Sequence, residues 1–257
     1  MKNNYLKKKL FEGKNVFGTW AMISSHITID IIASTSLDFV IIDMEHGTMS
    51  FETVEKMVDS AKLRGAAPII RVENKEENNL LKALETDPSG IMVPHIKNKK
   101  EAEKVVSACK YHPKGKRGLS PYTKVHDYSH DDITDKLNLT NKNTLVGVLV
   151  EGKSGIENIN EISKVSGLDL IYMGIYDISQ SIGKPGDLYD NEVISMQKKC
   201  VNIIKSNNKF AGSFAKNFDY VDILYKSGFQ FIAYLVDCNI LRQGYINFMQ
   251  YVNDKLE

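Results

Sequence analysis

Cysteine is scarce: the 257 residues hold three, at 109, 200 and 238, with no paired spacing. A chain so poor in thiols has no disulfide framework and no Cys-x-x-Cys zinc or redox motif. It is expected in a reducing compartment, the cytoplasm. Net charge is also almost absent, since Lys+Arg 33 against Asp+Glu 32 leaves +1. No global field draws such a chain to nucleic acid or to an anionic membrane, so neither is expected as a partner. No apolar run reaches the roughly 18 residues that a membrane helix needs. The lysine-bearing start, residues 1–10, lacks the apolar core of a signal peptide. Linkers, low-complexity tracts and sequence repeats are missing as well. Disorder is excluded by a hydrophobic fraction of 42% and a charged fraction of 25%.

What is present is a rhythm. Short runs rich in Val, Ile and Phe occupy 16–23, 39–44, 67–72, 90–96, 145–151, 168–174, 210–215 and 229–236. Few polar residues interrupt them, as expected of strands buried on both faces. Helical patterns lie between them at 51–63, 77–85, 99–110, 155–165, 191–207 and 218–227, with Pro88, Gly90, Gly167 and Gly228 placed to stop helices. Alternation of this kind implies parallel strands with crossovers of one hand. About eight units and about 250 residues fit a (β/α)8 TIM barrel in a single domain. An open doubly wound sheet is the alternative, but the chain holds no G-x-G-x-x-G. The domain is read as 1–257, with an N-terminal helix in 1–14 and a C-terminal helix in 238–257. The amphipathic stretch 240–252 of that tail suits either an oligomer contact or a plain barrel-closing helix.

Barrel chemistry sits at the C-terminal ends of the strands. Those ends carry Asp43, Glu45 and His46; Arg71, Glu73 and Asn74; His95; Glu151; and, beyond Gly174, Asp177. Two carboxylates, Glu151 and Asp177, each end a buried run, and together with water they suit a hard divalent cation. Singly, each reads more readily as a helix N-terminal cap, and it is the pair that points to a metal. His46 is a candidate general base, or a hydrogen-bonded structural histidine. Arg71 offers a fork for a carboxylate or enolate oxygen, or a salt bridge to Asp43 or Glu73. Other motifs are set aside. GVLVEGKS (147–154) matches the phosphate-loop pattern, yet its four variable positions read as strand and one is a carboxylate. HDYSH (126–130) would bind zinc only on a helix, and it follows Pro121 in a turn-rich stretch. Lys7–Lys9 reads as a solvated helix face.

The segments GTWAMISS (18–25), DFVIIDMEHG (38–47), IIRVEN (69–74), GIMVPHI (90–96), YHPKGKRGL (111–119), LVEGKSGIENINEI (149–162) and GIYDISQSIGKPG (174–186) occur in that order. In them the chain resembles, over essentially its whole length, the metal-dependent (class II) pyruvate aldolases of the HpcH/HpaI family. The resemblance implies a lyase that reversibly cleaves a 4-hydroxy-2-oxo acid to pyruvate and an aldehyde through a metal-stabilised enolate. It assigns Glu151 and Asp177 to the metal (Mg2+, Mn2+ or Co2+) and His46 to the base. Arg71 falls to the enolate, and Gly174, Tyr176 and Asp177 to the substrate carboxylate. Glu85 replaces an aspartate that raises the basicity of the histidine, leaving Glu85 and Asp43 as rival partners of His46. Leu149 replaces a substrate-binding glutamine, and Leu235 replaces a small residue near the pocket. The resemblance also implies a homo-oligomer, a trimer or a hexamer. Rival expectations are a 2-oxo diacid decarboxylase, an acyl-CoA ester lyase, and a catalytically silent barrel subunit.

Overall fold

The structure, a computed structural model, describes residues 4–256. Eight parallel strands close in sequential order: β1 (Val16–Ala21), β2 (Phe39–Asp43), β3 (Ala67–Arg71), β4 (Gly90–Val93), β5 (Leu145–Val150), β6 (Leu170–Met173), β7 (Phe210–Ala215) and β8 (Phe231–Val236). The helices are α1 (Tyr5–Phe11), α2 (His26–Ala33), α3 (Phe51–Arg64), α4 (Glu77–Glu85), α5 (Lys99–Cys109), α6 (Ile133–Asn143), α7 (Gly152–Glu157), α8 (Ile159–Ser163), α9 (Ile175–Ser181), α10 (Asn191–Ser206), α11 (Phe218–Lys226) and α12 (Asp237–Lys255). The expected TIM barrel is the fold found, and each strand lies within its expected run.

Strand composition follows from burial on both sides. Ile42, Ile70, Val93 and Val148 face the helices, while Ile41, Ile69, Met92 and Leu149 fill the barrel interior. Neighbouring residues thus enter two different cores, which is why the runs lack polar alternation. Phe39 and Phe231 stack inside at 3.8 Å between centroids. Helix starts are fixed locally: Ser25, Ser50, Asn98 and Asn217 each accept the backbone N–H three residues on. Leu6 and Leu10 of α1 plug the N-terminal end of the barrel.

Some details depart from the sequence reading. Lys7 is no solvated residue, because it pairs with Asp169 at 2.9 Å where both side chains are only 12% exposed. The helix expected over 155–165 is broken into α7 and α8 at Asn158. There the side-chain Nδ2 donates to the carbonyls of Lys97 and Ser154, both at 3.0 Å, in competition with the helical ladder. Helices α2 and α6 were not anticipated.

Candidate active site

The site is assembled at the C-terminal end of the barrel. Asp43, last residue of β2 and 1% exposed, organises the turn after it. Its Oδ1 accepts the backbone N–H of Glu45 at 3.0 Å and of His46 at 3.4 Å. Glycine is required to close that turn, since a Cβ on Gly47 would lie 2.2 Å from the Asp43 carbonyl oxygen. Across the ladder, β2 and β3 place Asp43 opposite Arg71. Arg71 Nε and Nη2 donate to the two Asp43 oxygens at 2.8 and 2.5 Å, and Nη1 lies 2.9 Å from Glu45. The guanidinium also packs over Trp20, 4.5 Å from the ring centre. Burial opposes its charge, yet Asp43 and Glu45 hold its pKa above the ordinary arginine value. The salt-bridge alternative for Arg71 is therefore realised, and the same pairing presents a locked cation at the cavity.

Glu45 continues the chain of contacts. Its Oε1 meets His95 Nε2 at 2.7 Å, and His95 Nδ1 meets Glu151 Oε2 at 2.8 Å. His95 sits in the left-handed region with φ 59°, a conformation that costs a non-glycine residue about 1–2 kcal/mol. Glu151 occupies the N-cap position of α7 but makes no cap hydrogen bond, so capping does not account for it. Its side chain lies against Gly174, where a Cβ would fall 2.7 Å from Glu151 Cγ. Burial pushes the Glu151 carboxyl above its usual pKa; His95 opposes this, and the charges of Glu45 and Asp177 add to it. Asp177 stands in the first turn of α9. Its carboxylate and the His46 imidazole have no hydrogen-bond or ion-pair partner among the described residues. Glu151 and Asp177 both border one cavity and are the candidate donors for a divalent cation. Among the described residues no cluster of three or more His, Cys, Asp or Glu is set to do so.

One cavity of about 230 Å3 joins these groups. His46, Arg71, Leu149, Glu151, Gly174, Tyr176 and Asp177 all line it, as does Asp43. Glu85 does not. It ends α4, and a barrel helix runs antiparallel to its strands, so its last turn lies at the opposite end from the strand C-termini. There Glu85 pairs with Arg117 at 2.9 Å, and Asp43 is the acid that touches the His46 turn. Leu235 is likewise absent from the lining; Val236 takes that place. Leu235 stands at φ 50° where the β1–β8 register slips. A hollow of about 630 Å3 opens near Asn4, Lys62 and Asn143. Its charged side chains are already paired, Lys62 with Asp87 and Asp59 with Lys124. Sequence reasoning gave no role to Glu45, His95 or Trp20, although the segments DFVIIDMEHG and GIMVPHI carried the first two.

Residues 16–243 match the model of the family described as HpcH/HpaI aldolase/citrate lyase. The chain belongs to that family. Among relatives of this aldolase is the hydroxypyruvate/pyruvate aldolase of Roseobacter denitrificans, 28% identical over 238 residues and 93% of each chain. Another is the 5-keto-4-deoxy-D-glucarate aldolase of Shigella boydii, 24% identical over 212 residues and 82% of each. A solved structure titled citrate synthase SbnG superposes with a TM-score of 0.88 at 27% identity, covering 97% of this chain and 98% of that one. The family and its named aldolases make the protein a lyase of the aldolase type. None of its helices among the described residues is long and apolar enough to cross a membrane.

Proposed function

We propose that this aldolase reversibly cleaves a 4-hydroxy-2-oxo acid to pyruvate and an aldehyde, with a divalent cation held by Glu151 and Asp177. The donor set fits such an ion. Two carboxylates border one cavity, Asp177 is unpaired, and a cation there would offset the burial and, beside it, the carboxylate repulsion that raise Glu151. Hard oxygen donors suit Mg2+ or Mn2+, with positions left for substrate and water. When bound, the cation would supply Lewis acidity at the 2-oxo group.

The chain's own residues do the rest. His46, with a free imidazole at the cavity, takes the proton from the 4-hydroxyl. The C3–C4 bond then breaks and its electron pair forms the enolate of pyruvate. Arg71, held in place by Asp43 and Glu45, faces the charge that develops on the enolate oxygen, so no reorganisation is needed at that moment. Gly174, Tyr176 and Asp177 border the end that takes the substrate carboxylate, and Leu149 forms part of the floor. Glu85, paired with Arg117, serves the fold. The observation carrying this reading is that His46, Arg71, Glu151 and Asp177 leave four different strands and border one cavity.

Proton exchange at the pyruvate methyl group in D2O, followed by NMR, tests the first step without any aldehyde. Chelation should abolish both exchange and aldol cleavage, and Mn2+ or Mg2+ should restore both. Full turnover in excess chelator overturns the metal assignment. The likeness to a citrate synthase structure favours a second reading, in which the same Arg71 site stabilises the enolate of a different acyl donor. Citrate formed from oxaloacetate and acetyl-CoA, without exchange at pyruvate, selects it. The enzyme acts in the cytoplasm on these small molecules, and a second copy of the chain covers the apolar face of α12.

A further inference from the structure

The cavity is divided by strand. Its charged groups come from one arc of the barrel, β2 to the start of α9: Asp43, Arg71, Glu151 and Asp177. The other arc, the contiguous strands β7, β8 and β1, contributes Phe214, Val236, Trp20 and, just past β1, Met22. At the border Tyr176 leans on Phe214, 5.8 Å between centroids at 54°. Most polar groups on this second arc are taken up inside the protein; Trp20 Nε1 donates to the Tyr172 hydroxyl at 3.0 Å. Thr19 donates to the Tyr234 carbonyl at 2.8 Å and Ser213 to the Met173 carbonyl at 3.1 Å. Asp237 accepts the backbone N–H of Met22 and of Ile23, both at 3.0 Å. Arg71, the one Lys or Arg side chain lining the cavity among the described residues, already faces Asp43 and Glu45. His95, at the rim, has both ring nitrogens on carboxylates.

We infer that the aldehyde used by this enzyme is small, uncharged and apolar beyond its carbonyl, and that Phe214 and Val236 select it. The inference rests on the aldolase reading above and names the substrate class of that site. The 2-oxo acid end has its partners on the charged arc, so carbon 4 and its substituent are directed at the apolar arc. A hydroxyl or carboxylate there loses its water and gains no partner. At about 230 Å3 the cavity is also smaller than the roughly 300–1,000 Å3 of pockets for drug-sized ligands. In the synthetic direction C3 of pyruvate loses a proton and bonds the aldehyde carbon. The aldehyde oxygen gains a proton, so nothing is oxidised or reduced.

The test offers wild-type protein, pyruvate and Mn2+ two isosteric pairs of aldehydes: propanal with glycolaldehyde, and 4-methylpentanal with succinic semialdehyde. Initial rates are read by product mass, and methyl exchange in D2O is followed on the same preparation. Propanal should exceed glycolaldehyde in kcat/KM by about 10-fold or more, the scale on which apolar pockets discriminate. The margin of 4-methylpentanal over the charged aldehyde should be larger. Phe214→Ser should lower the propanal-to-glycolaldehyde ratio by about 10-fold. Val236→Thr, which keeps side-chain volume, should lower it in the same direction even where Phe214→Ser fails to fold. Exchange at pyruvate with equal or better use of the hydroxylated and charged aldehydes overturns the inference and leaves the aldolase reading standing. Absence of exchange and of every aldol product overturns that reading, and the inference falls with it. A ratio unmoved in both variants overturns the assignment to Phe214 and Val236.

Discussion

At the scale of the residue, the informative feature is a polar group at the end of a strand that is otherwise buried. Asp43 ends β2 with 1% exposure, and a carboxylate so placed persists only with a partner such as the Arg71 fork. The two acids that sequence reasoning set against each other as partners of His46 separate cleanly in space. Asp43 holds the backbone of the His46 turn, whereas Glu85 pairs with Arg117. His46→Ala should therefore lower aldol cleavage by about 10²–10⁴-fold, the usual range for a general base. Glu85→Gln should leave turnover within a few-fold while shifting the urea midpoint, because it weakens a partly buried ion pair. Steady-state kinetics beside urea melts separate the two effects. The reverse pattern, with cleavage lost in Glu85→Gln and kept in His46→Ala, assigns the base elsewhere. Strand-end residues were legible because burial of a strand excludes polar side chains except where they have work. Glu85 was not, since its distance from His46 depends on which end of the barrel a helix terminus reaches.

At the scale of the element, strands were easier to read than helices. All eight strands lie inside apolar runs because both of their faces enter a core. Helix α6 buries Thr140, Asn141 and Asn143, so it shows no apolar stripe to recognise. Helix α2 carries Ile27, Thr28, Ile29, Ile31 and Ile32 in eight residues, a β-branched run that hides its Ser25 cap. The GVLVEGKS segment is settled by its elements: Gly147–Val150 belong to β5, and exposed Lys153 lies 3.9 Å from Glu157. ATP should bind no better than inorganic phosphate in calorimetry; saturable binding lost in Lys153→Ala contradicts this. A second expectation concerns the seam between α5 and α6, where buried Lys110 donates to the carbonyls of Asn141 and Thr144 at 2.9 and 2.6 Å. Burial pulls its pKa down to about 8, so between that value and the ordinary 10.4 or so of lysine the unfolded chain binds more protons. Stability therefore rises as pH climbs above about 8. From pH 9 the buried Cys109, raised from 9.0 to about 12, acts in the opposite sense, because the unfolded thiol ionises first. Urea melts should show a gain from pH 8 to 9 that is missing in Lys110→Met; equal slopes in both proteins refute the assignment.

At the scale of the whole molecule, the barrel is complete as one chain, yet its last element is not. Helix α12 runs 19 residues, and its one buried residue is Asp237 at the first turn. Leu241, Tyr245, Phe248 and Met249 are each at least half exposed. Positions 241, 245 and 248 follow the i, i+4, i+7 spacing of one helix face. A plain barrel-closing helix would bury that face on its own strands, which is the alternative the sequence left open, and this one does not. A contiguous exposed apolar stripe of this kind marks an interaction surface, and a second copy of the chain is the partner always present at the concentration of the enzyme itself. Phe248→Glu with Tyr245→Glu places two carboxylates on the stripe while touching no buried residue, so the barrel should keep its far-ultraviolet spectrum and lose little stability. Sedimentation equilibrium should find the wild-type protein as an oligomer and the double variant as a monomer. A wild-type monomer at micromolar concentration, or an oligomer indifferent to both substitutions, removes α12 from the interface.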